Sequence, residues 1–246
     1  MIVAATVVVL VIALALAYFF AWRTSDDKYQ SASNAITTMQ SSSTDISKKL
    51  SSIQSSANIG DAVITGLATD IDKFNSFLKS LQDNVIVSKD QAVKGTYSQN
   101  EKSLTEYGNT ASSLKMSFYQ YGSIIGNCTY LVSKLPSIKD ATAFDTAAAA
   151  CKQSAEKVAS LSGSSFKTQY LDSYANLVIK LLAAYRTAAP HTTAAQAAAD
   201  TAAVNTVLGQ INTLAKKRLT LTLDSPESSL QKIQNTVSVQ SKALIR

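Results

Sequence analysis

The N-terminal segment, residues 1–23, carries no charged side chain before Arg23 and is almost entirely apolar. As a helix it would be roughly 30 Å long, which matches the hydrocarbon core of a bilayer. Aromatic residues crowd its C-terminal end, where they would meet lipid headgroups. The pattern predicts a transmembrane anchor over 1–23 that contacts membrane lipid. The alternatives are a buried core helix and a cleavable signal peptide, in which Ala13, Ala15 and Ala17 would resemble a cleavage site.

Beyond Arg23 the apolar positions narrow to a single stripe. Successive members are three or four residues apart, which is the heptad pattern of an amphipathic helix, with Ser43 as its one polar member. Five members form the predicted interaction seam: Ile36, Met39, Ile46, Leu50 and Ile53. We expect this seam to be buried, either against later helices of the same chain or against a second copy.

The heptad-patterned region covers residues 24–95 and contains one candidate turn. Asn58, Gly60 and Asp61 cluster at that point, and the stripe then resumes in the same phase. One continuous helical stalk and a helical hairpin both satisfy the pattern. The cluster of turn-forming residues favours the hairpin, with Asp61 as the N-cap of the second helix.

Residues 96–246 are predicted to form an antiparallel helical bundle. Gly95 is expected to end the preceding helix, and Ser98 with Glu101 forms a capping box for the next one. The other predicted interruptions are Pro136, Pro190 and an extended connector at residues 219–223. The expected fold is therefore all-α: a transmembrane helix that continues into an amphipathic heptad helix, followed by the bundle.

Two cysteines, Cys128 and Cys151, lie in predicted helices on either side of Pro136. In a helical hairpin that turns near this proline, the cysteines would lie at comparable heights on facing helices. A disulfide between them is therefore predicted, and it would place the domain outside the cytosol. Two buried thiols in a reducing compartment are the alternative.

Composition and charge exclude several classes of protein. The net charge of +6 is dispersed, and the one basic cluster, Lys216–Arg218, is typical of a helix C-terminus. No arginine stripe with interleaved aromatic residues is present, so no nucleic-acid partner is predicted. His191 is the only histidine, and no nucleophile, phosphate-binding or metal-binding motif accompanies it. We expect no catalytic residue, no metal ligand, no cofactor and no enzymatic activity.

Two features of the sequence bear on the orientation of the anchor, and they favour opposite sides of the membrane. Arg23 and Lys28 follow the apolar run, and by the positive-inside rule alone they favour a cytoplasmic domain. The predicted disulfide favours the opposite side. On the strength of the disulfide we expect a single-pass membrane protein whose soluble domain is extracytoplasmic.

These features favour a non-enzymatic, membrane-anchored scaffold or interaction module of the cell envelope, with a protein partner or self-association. A ligand-sensing bundle that works with a partner is an alternative, because a helical bundle after a membrane helix resembles bacterial chemoreceptor ectodomains. A filament subunit packed through its N-terminal helix is another. The uncharged apolar start and its amphipathic continuation resemble type IV pilin-like proteins, although Ala5 stands where those proteins usually carry an acidic residue.

Overall fold

A computed structural model describes residues 26–55, 61–135, 138–188 and 194–244. Within these ranges the regular secondary structure is helical, as predicted. The α-helices are α1 Asp26–Ser55, α2 Asp61–Gln82, α3 Val85–Lys89, α4 Gln91–Lys134, α5 Ala141–Glu156, α6 Asp172–Ala188, α7 Ala194–Ala215 and α8 Glu227–Leu244. A 3₁₀ turn covers Lys157–Ser160 and a π turn covers Lys167–Leu171.

The predicted membrane anchor, residues 1–23, lies outside the described residues. Among the helices that the structure describes, none is both long enough and apolar enough to cross a bilayer.

The heptad seam on α1 belongs to the hydrophobic core. Ile36, Met39 and Ile46 are fully buried, and Leu50 and Ile53 are at most 4% exposed. Ser43 is buried in the same stripe because its hydroxyl donates to the Gln40 carbonyl at 2.9 Å. This chain's own side chains cover the seam, so in this conformation it is unavailable as a surface for a second copy.

Helices α1 and α2 lie side by side as a hairpin. Lys49 on α1 forms an ion pair with Asp70 on α2. In one continuous helix these two residues would be roughly 31 Å apart by rise alone. The predicted turn around Asn58 and Gly60 falls between the described ranges, and α2 begins at Asp61.

The helix end predicted at Gly95 is wrong. Helix α4 begins at Gln91 and runs through Gly95 to Lys134. Its start is capped by Asp90, whose carboxylate accepts from the Ala92 and Val93 amides at 2.9 and 3.0 Å. A glycine inside a helix costs about 1 kcal/mol, and burial of Val93 and Tyr97 on either side of it offsets that cost. Ser98 and Glu101 are therefore interior positions of α4.

By their contacts, the described residues group into two compact units. The first unit contains residues 26–43, 73–106 and 225–244. Within it α8 runs antiparallel to α1, because polar contacts pair residues in opposite order along the two helices. These contacts are Gln40 with Glu227 at 3.3 Å, Ser33 with Gln234 at 2.7 Å and Asp26 with Ser241 at 2.9 Å.

The second unit contains residues 44–55, 61–72, 107–135, 138–188 and 194–224. Its centre is aromatic. The Phe118 ring of α4 stacks on Phe166 with centroids 4.2 Å apart, and Tyr121 packs edge-on against Tyr170 and Tyr174. This cluster joins α4 to the chain segment that becomes α6.

The connector predicted at residues 219–223 lies outside the helices, in a segment without regular secondary structure. Leu219 and Leu221 point inward and are buried, whereas Thr220 between them is exposed. The Gln169 side chain pairs with the Thr220 backbone in both directions, accepting from its amide at 2.9 Å and donating to its carbonyl at 2.7 Å. Both backbone polar groups of Thr220 are therefore paired with one side-chain amide.

The hairpin of α1 and α2 can be tested by crosslinking. In a chain carrying Lys49→Cys and Asp70→Cys, a short bifunctional maleimide should join the two positions within one chain, since their native side chains are in contact. The measurement is mass spectrometry of the crosslinked peptides. Crosslinks found only between chains would contradict the hairpin. The matched control is a chain carrying Lys48→Cys and Asp70→Cys. It should crosslink less, because Lys48 is directed to Asp45 of its own helix.

Candidate functional site

A groove of about 630 Å³ lies between α5 and α6 in the second unit. This volume is typical of small-molecule sites. Its floor is formed by buried Phe144, Ala148 and Leu182 and by half-buried Ile179. The remaining lining residues are Asp145, Ala149, Lys152, Gln153, Glu156, Ala183 and Arg186. The groove therefore combines an apolar floor with a charged rim.

A bidentate ion pair lies at one end of the groove. The Arg186 guanidinium of α6 donates from Nε and Nη2 to the two carboxylate oxygens of Asp145 on α5, at 2.7 and 3.0 Å. These hydrogen bonds hold the pKa of Asp145 below its usual value and raise the pKa of Arg186. Both side chains are about half exposed, so water screens the pair and its main effect is to fix geometry.

The second charge pair on the rim is looser. Lys152 and Glu156 are four residues apart on α5, and their charged atoms are 3.8 Å apart. This distance is too long for a hydrogen bond. Both side chains are more than half exposed, so they can rearrange at little cost.

Helix α5 is held in place by the predicted disulfide. Cys128 of α4 and Cys151 of α5 are bonded, with their Cα atoms 4.7 Å apart. Ser154, one turn further along α5, accepts from Asn127 at the hydroxyl and from Gln120 at the carbonyl, at 2.6 and 2.5 Å. The α5 wall of the groove is thus fixed covalently and by hydrogen bonds to α4.

A smaller apolar cavity of about 320 Å³ lies next to the groove. Phe144, which is 2% exposed, lines both spaces. The other lining residues are Leu135, Ile138, Tyr185, Ala188, Thr201 and Val204.

The tyrosines divide into core and surface positions. Tyr107 and Tyr170 are buried, whereas Tyr119 and Tyr130 on α4 are about half exposed. Loss of solvation raises the pKa of Tyr107, Tyr121 and Tyr170, and it raises that of Tyr174 to about 12. These four tyrosines stay neutral at physiological pH, and Tyr121, Tyr170 and Tyr174 pack against one another.

The structure brings together one of the two predicted sets of site residues, the cysteine pair. The five seam residues lie along α1 and belong to the hydrophobic core. His191 and the N-terminal segment of the filament hypothesis lie outside the described residues. Among the described residues no cluster of His, Cys, Asp or Glu has the geometry to hold a metal ion.

The groove was not predicted from the sequence. Asp145 and Arg186 are 41 residues apart, so only the packing of α5 on α6 brings them together. One pattern on α5 could have indicated the groove. Charged residues share one helix face with a small residue, at positions three or four apart: Asp145, Ala149, Lys152 and Glu156.

The described residues therefore form an all-helical, disulfide-bonded bundle that carries a groove of ligand size. No family model, no curated protein and no solved structure matches the chain.

Removal of the disulfide should destabilise the chain. Replacing Cys128 and Cys151 with alanine opens a loop with a sequence separation of 23 residues, which by chain entropy lowers the free energy of unfolding by about 3 kcal/mol. Urea unfolding followed by circular dichroism measures the change. A reductant should lower the midpoint of the native chain and leave the variant unchanged; equal midpoints for the native and variant chains would contradict the bridge.

Stability should fall in alkali because of Tyr174. An unfolded tyrosine ionises near pH 10, whereas folded Tyr174 keeps its proton up to about pH 12. The unfolded state therefore binds fewer protons between these values, and the free energy of unfolding decreases as pH rises from 10 to 12. Tyr174→Phe should show a shallower decrease in urea midpoint over this window. The two chains should have parallel profiles between pH 7 and 9, and parallel profiles up to pH 12 would refute the assignment.

Proposed function

We propose that this chain is a non-enzymatic protein of the cell envelope, anchored in a membrane through residues 1–23. Its helical bundle is extracytoplasmic and acts as an interaction module or scaffold. The observation that carries the proposal is the bond between Cys128 and Cys151, because structural disulfides persist in oxidising compartments outside the cytosol. The apolar N-terminal sequence supplies the means of attachment.

The interaction face in this proposal is the groove between α5 and α6. The heptad seam is excluded from that role by its burial within the chain. The groove presents charged side chains at its rim and an apolar floor, a combination that gives both affinity and orientation to a bound molecule. The disulfide supports this role because it preorganises the α5 wall.

A ligand-sensing role with a partner protein is the second candidate. The groove volume of about 630 Å³ favours it, since this is the size of a small-molecule site. A sensor would need the partner to carry the signal, so copurification of a second membrane protein that depends on an added ligand would distinguish sensing from scaffolding.

Attachment and orientation are tested in cells of the source organism. The full chain should resist extraction by alkaline carbonate, because its apolar segment lies in the bilayer, and the chain without residues 2–22 should be extracted. A protease added outside the cytoplasmic membrane should digest the bundle, and non-reducing mass spectrometry should recover the peptide pair that contains Cys128 and Cys151. The control is a cytosolic protein, which should remain undigested. A full chain recovered in the cytosol with two free thiols would overturn the proposal.

A further inference from the structure

The groove between α5 and α6 has the chemistry of a site for a specific class of ligand. We propose that it binds a single-chain amphiphile with a zwitterionic head group. This inference rests on the proposed function, because it identifies the molecule that the interaction face would take.

The apolar part of the ligand is defined by the groove floor. Ala148, Ile179 and Leu182 offer an apolar surface, and alanines at positions 149 and 183 leave the channel open above it. From Asp145 to Lys152 the channel follows two turns of α5, roughly 10 Å by helical rise. One alkyl chain can lie along this length, with the Arg186–Asp145 pair at the far end.

The head group is defined by the looser ion pair. Lys152 and Glu156 stand at the opposite end of the groove, 3.8 Å apart and without a hydrogen bond between them. A zwitterionic head can replace this pair charge for charge, with its anionic group on Lys152 and its cationic group beside Glu156. Every charge then keeps a partner.

A purely anionic head group fits less well. It would pair with Lys152 but would face the Glu156 carboxylate on the same helix face, one turn away. A purely cationic head would pair with Glu156 but would face the positive charge of Lys152. The four rim charges of Asp145, Lys152, Glu156 and Arg186 also sum to zero, so the groove has no net charge that would select an ion of one sign.

The test uses the full chain reconstituted in phosphatidylglycerol vesicles, so that no zwitterionic lipid competes. The probe is a photoreactive single-chain phosphocholine, and its adducts are mapped by mass spectrometry. We expect adducts in α5 and α6, with labelling several-fold above that by a probe with the same chain and a sulfate head. Equal or stronger labelling by the sulfate probe would overturn the proposal.

Two pairs of variants locate the binding within the groove. Ala149→Phe fills the groove and should reduce labelling at least about tenfold, which is about 1.4 kcal/mol, whereas Ala150→Phe, on the exposed neighbouring position outside the lining, should not. Lys152→Gln should weaken labelling by the phosphocholine probe, and Lys157→Gln, which is exposed and outside the lining, should leave it unchanged. Circular dichroism confirms that each variant folds. Similar labelling of the Ala149 and Ala150 variants would contradict the proposal.

The same head-group chemistry is available from free single-chain amphiphiles and from bilayer phospholipid. A third arm therefore replaces the probe with a photoreactive diacyl phosphatidylcholine built into the vesicles. Labelling by the single-chain probe alone supports the proposal, whereas groove adducts of the diacyl probe that disappear in Ala149→Phe would overturn the assignment to a single-chain ligand. A chain that is anchored and extracytoplasmic in cells but gives no groove adducts with either probe would overturn this inference and leave the proposed function standing.

Discussion

Burial of an apolar stripe along most of the long helices is the constraint on which the rest of the described structure depends. Isolated helices are marginal in water, so they persist here because their stripes pack against one another. Burying a side chain such as Ile46, Leu114 or Phe118 contributes about 1.5 to 3 kcal/mol, and each of these residues is at most 1% exposed. The exposed faces carry no such requirement, and they hold serine, threonine, asparagine and glutamine together with charged residues and alanine.

Stripe positions and the cysteine pair were predictable from the sequence because both follow local rules. The seam from Ile36 to Ile53 was found by its spacing, and Pro136 indicated the turn that brings Cys128 towards Cys151. Gly95 misled the prediction for an equally local reason. Glycine is a common helix C-terminal signal, but the burial of Val93 and Tyr97 outweighs its modest cost within a helix.

The groove could not be predicted from the sequence because it is formed only where two helices pack together. Neither Asp145 nor Arg186 forms a recognisable motif, and their pairing depends on the sideways placement of α5 against α6. Residues outside the groove help to fix α5, among them the disulfide and the contacts of Ser154, which tie α5 to α4. A helical bundle is compatible with many functions, so the function must be argued from such a site and not from the fold.

The disulfide also determines how the chain transmits mechanical tension. A pull applied through the backbone passes from Cys128 to Cys151 across the sulfur atoms and bypasses the segment between them. That segment, which as extended chain would add roughly 75 Å, includes Phe144, Asp145 and Ala149 of the groove wall. Under tension this part of the wall lies in a covalently closed loop that carries no load, so Phe144, Asp145 and Ala149 are not drawn out when the chain on either side of the loop is stretched.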